Sequence, residues 1–169
     1  MSLYISEKDI DGLEEYFKKT VSENGEALEK FCNALKDGNS EVVEQSLNNY
    51  LKRTISIRDT FVKKQMKENF YHGILLGILG FQQNWSVSSN KESGDGYSDI
   101  LIETEDQETG IIIEIKYAET GNLEAVSEEA LKQIEDRRYE EQLLEEGVEH
   151  ILKYGIAFYK KKCRVMTVK

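Results

Sequence analysis

The run Ile111-Ile112-Ile113-Glu114-Ile115-Lys116 does most to limit what this chain can fold into. Its isoleucines read as a strand buried on both faces. Strand side chains alternate, so Glu114 and Lys116 share one face and Ile113 and Ile115 take the other. Upstream, Gly94-Asp95-Gly96-Tyr97-Ser98-Asp99 is a glycine-rich turn leading into a second short apolar strand, Ile100-Leu101-Ile102. If both strands are central, Asp99, Glu114 and Lys116 converge where charge is expensive to bury unless it is paired or holds a metal. On an exposed edge strand, Glu114 and Lys116 would instead form a surface ion pair worth roughly 0.2–1 kcal/mol. The surrounding isoleucines argue for burial.

A chain of 169 residues can build one domain with a real core, or a small domain with a helical appendage. Hydrophobic content of 39% and charged content of 32% suit a soluble globular protein. No apolar run is long enough to span a bilayer, and the N-terminus lacks a basic segment followed by an apolar one. Cys32 and Cys163 have no metal-ligand spacing and read as free thiols in a reducing cytoplasm. The net charge of −10 argues against a chain-wide grip on nucleic acid, but not against a local basic strip.

The helical periodicity predicts helices over 6–19 (Ile10, Leu13, Phe17), 26–36 (Leu28, Phe31, Leu35) and from Ser40 onward (Val43, Leu47, Leu51), with Ser40 as the cap of the third. A long fourth helix is expected over 60–81. Its second half is apolar nearly all round and should be buried, with Gly73, Gly77 and Gly80 allowing another element to approach. His72 within it reads as a packed, hydrogen-bonded residue rather than a ligand. Glu68 is either a surface carboxylate or one aimed into the site of the strands. Strands follow over 85–89, 98–103 and 111–117, with 91–96 a loop and 105–110 a polar turn. Gly121-Asn122 opens a helix with Leu123, Val126, Ala130, Leu131 and Ile134 as its stripe. The helical pattern runs on to Gly147, with a break near 136–138. Strands at 151–159 and 163–168 close the chain around Lys160-Lys161-Lys162, a tight basic turn. The expected boundary separates residues 1–59, a helical segment, from 60–169, an α/β part.

The order helix, three strands, helix, strand, with Asp99 followed by Glu114-Ile115-Lys116, resembles the PD-(D/E)XK nuclease superfamily. Asp99 takes the aspartate position and Glu114-Ile115-Lys116 the E-x-K position. Glu68-Asn69-Phe70-Tyr71-His72-Gly73, Glu92-Ser93-Gly94, Ala130-Leu131-Lys132-Gln133-Ile134 and Lys153-Tyr154-Gly155-Ile156-Ala157-Phe158 look like one bacterial family of such domains, usually joined at the C-terminal end to an AAA-ATPase-like domain. The resemblance covers about residues 40 to 169. It implies a restriction-endonuclease-like α/β fold, a mixed central sheet flanked by helices, with an N-terminal helical segment that is the tail of the missing ATPase-like domain. Ser98 stands where the superfamily's name has proline. The chain has no G-x-x-x-x-G-K-S/T phosphate loop, so the ATPase half is absent, and the chain is either a stand-alone homologue or a fragment.

The chemistry needs little beyond these residues. Phosphodiester hydrolysis requires an activated water and relief of charge on the phosphoryl oxygens, and a hard cation held by carboxylates serves both. Asp99 and Glu114 would be ligands to Mg²⁺ or Mn²⁺, with the Ile115 carbonyl, and by resemblance Glu68 is the helical carboxylate near the metal. Lys116 would orient or help deprotonate the water. By resemblance, Gln133 matches a glutamine of recombination-helicase-type nucleases, in which a tyrosine follows one turn later. Here Arg137 occupies that position and could contact phosphate, while Tyr139 falls off the face. Lys160, Lys161 and Lys162, with Arg164, either touch a nucleic-acid backbone or solubilise a hairpin tip. DNA is the expected partner ahead of RNA, with an AAA-ATPase-like domain or subunit as a further partner. The alternatives are a non-catalytic nucleic-acid-binding or sensing module of the same fold partnered with such an ATPase, and a structural interaction domain.

Overall fold

The computed structural model describes residues 25–54, 64–92, 96–136 and 139–168. The helix expected over 6–19, the start of the 60–81 helix, the tip of the glycine-rich turn and Arg137 lie outside them. Ten elements follow in order: α1 (Gly25–Asp37), α2 (Ser40–Thr54), α3 (Lys64–Leu79), β1 (Ser86–Glu92), β2 (Gly96–Glu103), β3 (Thr109–Tyr117), α4 (Leu123–Asp136), α5 (Tyr139–Glu145), β4 (His150–Tyr159) and β5 (Lys162–Val168). The strands form one mixed sheet in the order β1-β2-β3-β4-β5, antiparallel throughout except for the parallel pair β3–β4. Helices cover both faces, as expected of a restriction-endonuclease-like α/β fold.

β3 is the central strand, hydrogen-bonded on both sides, which removes the edge-strand reading of Glu114 and Lys116. Residues Gly110 to Ile115 are all buried. Ile111, Ile113, Ile115 and Tyr117 join the larger core with Ile100 and Ile102 and with the buried faces of α1, α2 and α3. Ile112 faces the other way, into a smaller core with Leu101, Ile134, Leu143 and Val148. Alternation therefore splits β3 between two layers, and it places Glu114 and Lys116 on the side of α4.

The N-terminal helices pack as their periodicities predict. Phe31, Ala34 and Leu35 of α1 and Val43, Leu47 and Leu51 of α2 are buried in the larger core. Gly38 (φ 73°) ends α1: its N–H reaches the Leu35 carbonyl and the Asn39 N–H reaches that of Ala34. Asn39, rather than Ser40, then caps α2, its Oδ1 accepting from the Val42 N–H at 3.2 Å. α2 also shields the outer edge of β5. Asn48 accepts from the Cys163 N–H at 2.8 Å and donates to the Cys163 carbonyl at 3.3 Å, and Glu44 Oε2 accepts from the Val165 N–H at 2.9 Å. These side chains satisfy backbone groups that an open edge would offer to another strand.

Several boundaries differ from the sequence reading. β1 starts at Ser86 and runs to Glu92, and β2 starts at Gly96, so strand occupies both ends of the expected 91–96 loop. Pairing across the antiparallel ladder extends these polar residues as strand where propensity alone does not. The fourth expected helix ends at Leu79 and is buried on one face only, since Phe70 is exposed. No element approaches Gly73, and Gly80 meets only carbonyls of the preceding helix. The glycine that admits the backbone of a helix is Gly155 on β4, while Gly110 on β3 makes room for the Val148 and Leu143 side chains. A Cβ on Gly155 would lie 2.3 Å from the Ser127 carbonyl oxygen and 2.8 Å from the Leu131 nitrogen of α4. Accordingly the buried face of α4 is Ser127, Ala130 and Ile134, with small residues over the glycine, while Leu123, Val126 and Leu131 are half-buried.

Candidate functional site

Glu114 is fully buried, in the middle of the central strand. Its Oε1 accepts a hydrogen bond from Gln133 Nε2 at 2.7 Å. Its Oε2 is buried and has no hydrogen-bond partner. Lys116, two residues on and 17% exposed at its side chain, is 3.4 Å from Oε1 of Glu129, whose side chain is 65% exposed. Four residues of helix rise about 6 Å, and two residues of strand about 6.6 Å. The pair Glu129 and Gln133 thus matches the pair Lys116 and Glu114 rung for rung, with α4 running antiparallel to β3. Gly155, the β4 register partner of Glu114, lets the helix sit low enough for Gln133 to reach.

Asp99 is the register partner of Glu114 on β2, so the two residues named by the motif lie opposite one another in the backbone ladder of adjacent strands. The Asp99 side chain lies outside the described side chains. Glu68 on α3 accepts through Oε1 from the Tyr117 N–H at 3.1 Å, three residues beyond Glu114 on β3. His72 is buried and bonded through Nε2 to Ser89 Oγ at 3.0 Å, the packed histidine expected. Both cysteines are free and buried. Burial, with Glu105 adding to it, pushes the Cys32 thiol up to about 11, and burial with Glu44 raises Cys163 further, so neither is a nucleophile at neutral pH. Lys160 and Lys162 are exposed and Lys161 half-buried at the β4–β5 turn.

Sequence reasoning missed Glu129 and Gly155. Glu129 carried a signal: it lies four residues before Gln133, hence on the same helical face. Gly155 carried none, because only the docking of α4 makes a Cβ impossible there.

The unpaired Glu114 oxygen has the chemistry of a ligand to a hard divalent cation. An ionised carboxylate oxygen left unpaired in a buried position is costly, and a cation is the partner that oxygen chemistry favours. Among the described residues no three carboxylate, imidazole or thiol groups form a cluster that could hold a metal ion. No helix among the described residues is long and apolar enough to cross a membrane.

A scan against protein-family models matches residues 66–168 to the PD-(D/E)XK nuclease superfamily. No curated protein and no solved structure matches the chain. The matched residues run from α3 through β5 and include the whole sheet and α4, so more than half of the chain carries the match, and the chain belongs to the PD-(D/E)XK nuclease superfamily.

Proposed function

We propose that this protein is a divalent-metal-dependent nuclease that hydrolyses phosphodiester bonds of DNA in the cytoplasm. The observation that carries the reading is the buried Glu114 carboxylate, with one oxygen oriented by Gln133 and the other unpaired. Asp99, Glu114 and the Ile115 carbonyl would hold Mg²⁺ or Mn²⁺, with Glu68 the more distant candidate. A bound cation supplies charge neutralisation at the phosphoryl oxygens and a water of lowered pKa. Lys116 orients that water and offsets charge in the transition state, once released from Glu129. Gln133 is a positioning residue, fixing Glu114 by a neutral hydrogen bond that leaves its charge for the cation. Arg137 and Lys160, Lys161 and Lys162 would contact the phosphate backbone. The test is cleavage of single-stranded, duplex and branched DNA with Mg²⁺ or Mn²⁺, by wild type and Asp99→Ala. Metal-dependent cleavage lost in the variant supports the reading, and no cleavage of any substrate rejects it.

A second reading is favoured by the Lys116–Glu129 ion pair, which engages the amine that catalysis would need. On it the protein is a non-catalytic nucleic-acid-binding or sensing module partnered with an AAA-type ATPase. DNA binding that is equal in wild type and Lys116→Ala, without cleavage, would select it.

A further inference from the structure

We infer that the rim of the sheet beyond Lys116 is a docking surface for an unpaired DNA strand. At this end of β3 and β4, aromatic rings from three elements meet. Tyr71 stacks on Phe158 with centroids 4.4 Å apart and lies nearly parallel to Tyr117 at 6.0 Å. Phe70 stands edge-on to Tyr71 at 5.3 Å. Two ammonium groups lie against this cluster: Lys67 Nζ is 4.6 Å from the centroid of Tyr117, and Lys160 Nζ is 5.1 Å from that of Tyr159. The Tyr71 hydroxyl donates to the Lys160 carbonyl at 2.6 Å, which ties the basic β4–β5 turn to α3.

Charge and exposure point to the occupant. In a chain of net charge −10, Lys67 and Lys160 both lie against this ring cluster. Phe70 is 42% exposed at the outer end of the ring cluster, and Met66, one turn earlier on α3, is 48% exposed. Tyr71, Tyr117 and Phe158 are buried and support the exposed Phe70 from beneath; ammonium groups suit phosphates, and an exposed ring suits an unstacked base. A duplex keeps its base faces inside its own stack and cannot use such a platform. Tyr117 follows Lys116 on β3 but points to the opposite face, so the rim and the candidate site share the C-terminal end of β3 from the two sides of the sheet. The choice of DNA rests on the nuclease reading.

The test is fluorescence anisotropy with labelled single-stranded DNA, duplex DNA and RNA of the same sequence, in EDTA so that nothing is cleaved. Wild type should prefer single-stranded DNA. Phe70→Ala should weaken that binding about tenfold, the scale of one lost base stack, and leave duplex binding unchanged. Lys160→Asn suits the left-handed backbone at this position (φ 52°) and should reduce the salt slope of log Kd by about 0.7 for the lost phosphate contact. Equal affinity for single strand and duplex, tighter binding of RNA, or full binding by both variants would overturn the inference. Cleavage with Mg²⁺ is scored separately. Single-strand preference dependent on Phe70 but without cleavage supports the rim and rejects the nuclease reading. Cleavage indifferent to Phe70 does the reverse.

Discussion

Gln133 Nε2 lies 2.7 Å from Glu114 Oε1, while Glu114 Oε2, equally buried, has no hydrogen-bond partner. A helix on one face of the sheet thereby fixes the acid of the central strand and leaves half of its acceptor capacity open. If a cation fills it, Mg²⁺ or Mn²⁺ at a hundredfold excess over Kd should raise the melting temperature by roughly 5–10 °C. Glu114→Gln and Asp99→Asn should lose most of that shift in differential scanning fluorimetry. An undiminished shift in both variants would place the metal elsewhere.

Gln133→Ala leaves both oxygens of a buried carboxylate unmet and should destabilise the metal-free protein by about 1–3 kcal/mol in urea unfolding. Saturating metal should recover part of this loss, because the cation engages the group that the substitution orphans. A variant as stable as wild type without metal would show that the bond contributes nothing to the fold.

On the nuclease reading, Glu129, 3.4 Å from the Lys116 ammonium, would compete with phosphate for it. Glu129→Gln should change stability by less than about 1 kcal/mol, since the pair reaches solvent. It should also raise DNA affinity and, on the nuclease reading, cleavage severalfold. Lys116→Ala should abolish cleavage and keep the metal-induced rise in melting temperature. If Glu129→Gln lowers cleavage instead, Glu129 supports Lys116 rather than masking it.

Gly155→Ala should be the most damaging single methyl in the described residues. Its Cβ would meet the Ser127 carbonyl at 2.3 Å and the Leu131 nitrogen at 2.8 Å, both backbone atoms of α4. The expected loss is about 3 kcal/mol or more, a fall of at least roughly 6 °C in melting temperature. Metal-induced stabilisation should fall with it, because lifting α4 withdraws Gln133 from Glu114.

The β2–β3 turn should carry part of the acid sensitivity. Asp106 accepts from Thr104 Oγ1 at 2.7 Å and from the Glu108 and Thr109 N–H groups at 2.9 and 3.0 Å, and it pairs with Lys36 at 3.1 Å. These donors, the Thr104 hydroxyl foremost, hold its carboxyl well below the usual range. A depressed folded pKa adds stability that is complete above the unfolded value, about 4, and drains away as the pH falls below it. The melting-temperature gap between wild type and Asp106→Asn should therefore be widest near neutrality and narrow in acid. A gap independent of pH would mean the turn needs the shape of the side chain but not its charge.

The sequence alone determined the strands and the polarity of their faces. The isoleucines around Glu114 and Lys116 demand a central strand, and two-residue alternation then sends both charges to one layer. The stripes of α1 and α2, the glycine ending at Gly147 and the C-terminal hairpin were equally legible, because each follows from local periodicity or turn chemistry. Asp99 and Glu114 could be named as partners from their motif, but their direct register is a property of the ladder. What only the tertiary structure decided is which groups meet across layers. Glu129 on Lys116, Glu68 on the Tyr117 N–H and α4 lowered onto Gly155 join residues distant in sequence, and no local pattern encodes them. The polar residues at 90–92 became strand for the same reason: pairing with β2 supplies hydrogen bonds that their own propensity does not. Helix and strand come from short-range repetition, whereas the site comes from how closely one helix rests on one sheet.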